Sequence, residues 1–112
     1  MQKMSLTAIA RQHLEQARQQ SSGRSAGSVY GGHEHRLRQT VIALTAGTTL
    51  SEHDNPGEAT LQVLSGRVRL SAGQTVWEGR TGDLLVIPAE RHSLDAVEDA
   101  AVLLTVAHDL GH

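Results

Sequence analysis

GTTLSEHDNPGEATLQVLSG, residues Gly47–Gly66, reads as a strand, a tight turn and a second strand. The turn has a mechanism in Asn55-Pro56-Gly57. Pro56 presets φ, Gly57 tolerates a positive φ, and the Asn55 side chain can bond its own backbone. His53 and Asn55 are two apart, so an extended segment carries them on one face. After the turn, Ala59–Leu64 is rich in β-formers, and Gly66 closes it.

Moving outward, the same rhythm repeats. Leu37–Thr45 reads as a strand before the central stretch, and Arg67–Leu70 continues the sheet after it. Ser71–Gln74 is a hairpin turn in which Gly73 takes the unusual φ, followed by a strand at Thr75–Glu78 that carries Trp77. A large ring there suits the cover over one end of a core, in preference to a ligand-pocket wall. Gly79–Asp83 is another turn. Leu84–Ile87 and Ala100–Ala107 are apolar without alternation, which predicts strands covered on both faces. Pro88–His92 reads as a loop, Ser93–Val97 as a short strand and His108–His112 as a frayed tail. Strands every 8–12 residues with glycine-rich turns predict an all-β sandwich or barrel.

The N-terminal part differs. Leu6, Ile9, Ala10, His13, Leu14 and Ala17 form one stripe at helical spacing, and Ser5 is placed to cap it. Such a helix must pack on the barrel or on a second copy. Ser21–Ser28 is small and polar and reads as a linker. The domain expectation is therefore residues 1–28 as helix and linker, and 29–112 as barrel. A sandwich buries one face of each sheet. Two strands apolar on both faces then predict a homodimer, or cover from the helix.

Composition bounds the function. The chain has 112 residues, one core's worth, with a net charge of −2. Tyr30 and Trp77 are its only Tyr and Trp, and there is no Phe, so a nucleic-acid stacking platform is not expected. With no cysteine, thiol chemistry and disulfides are excluded. The longest apolar run is too short for a membrane span, and a soluble cytoplasmic protein is the expectation. His33 and His35 have the spacing of two strand ligands, although a solvated strand start is the commoner reading. Arg36 and Arg38 share the opposite face, as a carboxylate contact or as surface residues.

The central stretch resembles the first motif of the cupin superfamily, G-x5-H-x-H-x3-4-E-x6-G. Gly47, His53 and Gly66 match. Asn55 stands at the second histidine, and Ala59 stands at the glutamate with Glu58 beside it. The family's second motif, G-x5-P-x-G-x2-H-x3-N, has a counterpart in GDLLVIPAERH. Gly82 and Pro88 match, Glu90 replaces the glycine, His92 arrives one residue early, and Ala96 takes the asparagine position. The resemblance implies a cupin-like jelly-roll (double-stranded β-helix) barrel behind a short N-terminal helix.

In metal-bearing cupins three histidines and a glutamate hold a divalent ion such as Fe, Mn, Ni or Zn. Here the resemblance leaves His53 and His92 as metal ligands, Asn55 as a weak neutral one, and nothing at Ala59. Losing the carboxylate removes the charge that offsets the cation. Small-molecule binding or sensing is therefore expected, with His53, Asn55 and His92 as ligand-binding residues and a weakened or vestigial metal site. The alternative is a metal-dependent dioxygenase or isomerase using His53, His92 and an unusual third ligand, which could be Glu58 through a bulge, or His33 or His35 if either faces the barrel. A metal-free epimerase would want a His–Asp pair, for which Asp95 lies near His92, and aromatic walls that this composition lacks. The remaining reading is a structural barrel plugged by Leu50, Leu61 and Val63. Alternation predicts Ala59 inward and Glu58 outward.

Overall fold

The computed structural model describes residues 2–53 and 57–108, with only the backbone at 52 and 53. One helix, α1 (Leu6–Gln19), precedes nine strands among the described residues. These are β1 (Arg24–Tyr30), β2 (Leu37–Leu44), β3 (Thr49–His53), β4 (Gly57–Ser65), β5 (Arg67–Ala72), β6 (Thr75–Arg80), β7 (Leu84–Ile87), β8 (His92–Ala96) and β9 (Ala100–His108). They form two antiparallel sheets, ordered β1-β2-β9-β4-β7 and β3-β8-β5-β6. The two inner faces close on one aliphatic core, in which Leu44, Val63, Val68, Leu70 and Val102 are almost wholly buried.

The helix starts as its sequence predicts. The Ser5 Oγ accepts a hydrogen bond from the Ala8 N–H at 3.1 Å, a cap worth about 1 kcal/mol. The buried side of α1 is small. Ala10 and Ala17 pack on Ala43 and Ala101, with Leu14 and Leu64 at the edge. Small residues on both sides let the helix axis lie close over β1, β2 and β9. At the other margin His13 Nδ1 and the Ser25 Oγ lie 2.8 Å apart, and the Ser25 hydroxyl donates to Gln16 Oε1 at 2.9 Å. Thus α1 supplies the second cover that β9 requires: Val102 and Val106 face the barrel while Ala101 faces the helix.

Several expectations are corrected. Residues 24–30 form β1, which takes in 24–28 of the expected linker and pairs with β2 from Arg24↔Leu44 to Tyr30↔Gln39. Its alternation of half-buried and exposed positions was masked by small side chains such as Ser25, Ala26 and Ser28. Leu84–Ile87 is covered on one face only. Ile87 is buried and Leu85 half-buried, while Leu84 and Val86 are 61% and 71% exposed. The reason is position: β7 is an edge strand, and α1 lies toward the opposite edge of that sheet. Trp77 covers one edge of the core only in part: it stands opposite the buried Leu70 in register, on the inner face of its sheet. It is 42% exposed in a depression shared with Leu84, Leu85 and Val86, where the edge strands β6 and β7 of the two sheets come together. His108 belongs to β9 and is not part of a frayed tail, and residues 109–112 lie outside the described residues.

Turn chemistry fixes the strand ends. Gly66 joins β4 to β5 at φ 82°. A methyl group there would collide with the Asp99 carbonyl oxygen and come within 2.8 Å of Ala100 Cα. Asp99 ties the neighbouring turn down. Its Oδ1 accepts from the Ala46 N–H at 2.8 Å and its Oδ2 from Arg18 Nε at 3.0 Å. The backbone bond to Ala46, then the one to Arg18, hold its carboxyl below the usual carboxylate range.

Candidate functional site: the barrel interior around His92

His92 is the buried polar residue among the described core side chains, at 4% exposure. It is the first residue of β8 and lies within the sheet, not in the preceding loop. Its Nδ1 is 3.0 Å from the Glu90 carbonyl oxygen. A carbonyl only accepts, so Nδ1 is the donor in this contact. The ring faces a cavity of about 50 Å³ whose other walls, among the described residues, are Ile42, Leu50, Leu61, Leu70, Ile87, Leu94 and Leu104.

The backbone brings the two expected histidines together. His53 of β3 pairs with His92 of β8 in the ladder. Leu50 pairs with Leu94 in the same ladder. Three steps along β3 therefore match two along β8, a bulge with two residues opposite one. Asn55, the third expected ligand residue, and Pro56 of the expected turn lie outside the described residues.

Position 59 behaves as its alternation predicts. Ala59 is 8% exposed, in the aliphatic core, opposed by Ile87 on one side and Val106 on the other. Glu58 is exposed, and the register runs without a shift from Gly57 to Val63, so no bulge turns its carboxylate inward. Among the described residues no three His, Asp or Glu side chains come together as a metal set. The family's three-histidine, one-glutamate donor set does not fit here, because a methyl group occupies the carboxylate position.

Other candidates disperse. His33 and His35 are exposed in the β1–β2 connection and do not lie on a strand. The His35 Nδ1 accepts from the Gly32 N–H at 3.3 Å, and its ring meets Tyr30 edge-on at 5.4 Å. Arg38 donates to the carbonyls of His35 and His33, so it braces that connection. The Arg36 carbonyl accepts from the His108 N–H. Asp95 does not pair with His92: alternation along β8 puts it on the other face of the strand, where its carboxylate accepts from the Thr49 hydroxyl at 2.6 Å. A His–Asp pair is therefore absent among the described residues. The sequence pattern did not single out Ile42, Leu70, Leu94 and Leu104 as cavity walls. Aliphatic residues carry no chemical signature, and only the strand register could have shown them.

No family model and no curated protein matches the sequence. Solved structures do match. A conserved protein of unknown function from Streptococcus pyogenes superposes with a TM-score of 0.73 at 27% identity, covering 82% of this chain and 80% of that one. A cupin superfamily protein from Desulfitobacterium hafniense gives a TM-score of 0.71 at 16% identity over 77% and 78% of the two chains. Salicylate 1,2-dioxygenase from Pseudoaminobacter salicylatoxidans gives 0.71 at 20% identity, over 89% of this chain but 32% of the enzyme. Among further matches is an RmlC-like cupin from Desulfovibrio desulfuricans, at 27% identity. Two antiparallel sheets around one aliphatic core, the glycine framework and these likenesses lead to one conclusion: the chain has the fold of the cupin superfamily.

Proposed function

We propose that the protein binds a small, largely apolar molecule inside the barrel, with His92, His53 and Asn55 forming the polar end of the site. The observation that carries this reading is the residual cavity, which among the described residues is lined by seven aliphatic side chains and the His92 imidazole. Apolar walls with one oriented polar group are the usual design of a small-molecule site. The cavity is small because Leu50 and Leu61 narrow it, so the ligand has few heavy atoms.

A metal in this reading is weakly held, through His53 and His92 without a carboxylate. Catalysis of the dioxygenase or isomerase type finds less support, since Ala59 supplies no ligand. The likeness to salicylate 1,2-dioxygenase, at 20% identity, is one of fold. The reading also includes a homodimer, for which the exposed Val76, Trp77, Leu84 and Val86 offer apolar surface.

The test is a thermal-shift titration with butanol and phenol, repeated on His92→Gln and on Leu61→Trp, which would fill the cavity. The expected result is a saturable rise in melting temperature that both substitutions abolish. No saturable shift with the unmodified protein, or an equal shift in the filled variant, would show a plugged structural barrel.

A further inference from the structure

On the outside of the β3-β8-β5-β6 sheet, two arginines stand directly opposite each other. Arg67 of β5 is paired in register with Arg80 of β6. Like charges placed this way repel and cost stability. The neighbouring pair has the opposite logic: Arg69 faces Glu78 and donates to it at 2.8 Å. That carboxylate is therefore committed to Arg69, and it comes only within 3.9 Å of Arg67 Nη1. The Arg67 Nε is buried and has no hydrogen-bond partner. Glu98 Oε2, at 3.9 Å, is too far to supply one. Among the described residues Arg80 has no ion pair closer than 4 Å.

These guanidinium groups line one cleft of about 300 Å³ with Gly66, Thr81 and Glu98. Its charged side chains sum to a net positive charge, two arginines against Glu98. Buried donors without acceptors are costly, and an oxyanion satisfies guanidinium donors well. Thr81 adds a hydroxyl at the rim. Glu98 is largely exposed, so water screens it and its side chain can turn aside.

We propose that Arg67 and Arg80 form a binding site for a small oxyanion, the carboxylate or phosphate group of a metabolite, on the outer face of the barrel. The site accounts for two features that stability alone disfavours, the opposed arginines and the unsatisfied buried Nε. It does not depend on the interior cavity, because Arg67 and Arg80 open on the other face of the sheet from Val68 and Leu70.

Isothermal titration calorimetry at fixed ionic strength tests it, with inorganic phosphate in one arm and succinate in the other. The expected result is saturable binding of one per chain in at least one arm, and the stronger arm identifies the source of the oxyanion. Arg80→Gln, an exposed substitution, should weaken it at least about tenfold. Glu98→Gln should tighten it, a change of opposite sign that misfolding cannot mimic. The proposal is overturned by no saturable binding in either arm, by Arg80→Gln binding as well as the unmodified chain, or by Glu98→Gln binding equally or more weakly.

Discussion

His53 and His92 are opposed residues in the β3–β8 ladder, brought into line by a bulge between Leu50 and His53. Two histidine positions are therefore opposed on neighbouring strands of a barrel in which Ala59 stands at the carboxylate position. Protein purified without chelators should carry far less than one metal per chain by inductively coupled plasma mass spectrometry. Any metal that is retained should vanish in His53→Ala. Stoichiometric metal that persists in His53→Ala would show that the bound ion sits elsewhere.

Restoring the carboxylate makes a sharper test. Ala59→Glu would place an acid among Ile87, Val106 and their neighbours. Burying that charge unpaired should cost about 2 kcal/mol or more. If His53 and His92 form half of a metal set, added Zn or Ni should recover much of that loss, and should do so only weakly in the His92→Gln background. Equal metal effects in both backgrounds would separate position 59 from the histidines.

Asp99 gives a pH signature. Its carboxylate accepts from the Ala46 N–H and from Arg18, and those bonds lower its folded pKa. A depressed folded pKa contributes stability above the unfolded value and loses it as pH falls through the folded one. Asp99→Ala should therefore destabilise by about 1 kcal/mol near neutral pH, the Arg18 part being small because that pair is exposed. The deficit relative to the unmodified protein should shrink as pH falls through and below the usual carboxylate range. Urea melts at several pH values would show this, and a deficit constant with pH would assign the loss to packing instead.

Gly66 is needed for a physical reason that its place in the motif only hints at. At φ 82° a side chain is strained, and a Cβ would strike the Asp99 carbonyl oxygen. Gly66→Ala should cost about 3 kcal/mol through strain and the forced shift of the β8–β9 turn. Gly32→Ala is the control, since a Cβ there meets nothing within 4 Å and its φ is not positive. Similar losses in the two variants would argue against the steric account.

The fold was legible because its signals are local. Gly47, Gly66, Gly73 and Gly82 all take positive φ, and a strand or strand end lies beside each turn they make. The helix was legible from its stripe and from Ser5. Position 59 was legible from alternation alone. What escaped depends on neighbours distant in sequence. β1 hid behind small polar residues because its identity comes from pairing with β2. The His53–His92 register depended on a bulge, which no residue in Leu50–His53 announces. Burial of the apolar strands depended on where α1 lies: β9 lies under it, whereas β7, equally apolar, does not. The Arg67–Arg80 opposition needed the β5–β6 register, since the two are thirteen positions apart.

That last difference, between β7 and β9, carries the prediction on assembly. Leu84 and Val86 project from an edge strand, with Trp77 beside them in the same depression. Exposed apolar residues grouped in this way are characteristic of association surfaces. Size-exclusion chromatography with light scattering should find a dimer. The double substitution Leu84→Glu and Val86→Glu should convert it to a monomer with an unchanged circular dichroism spectrum, because neither side chain contributes to the core. Trp77 provides the local reporter: its emission should shift to the red on dilution of the unmodified chain and should already be shifted in the double variant. A unmodified chain that runs as a monomer, or a double variant that remains dimeric, would remove β7 from any interface.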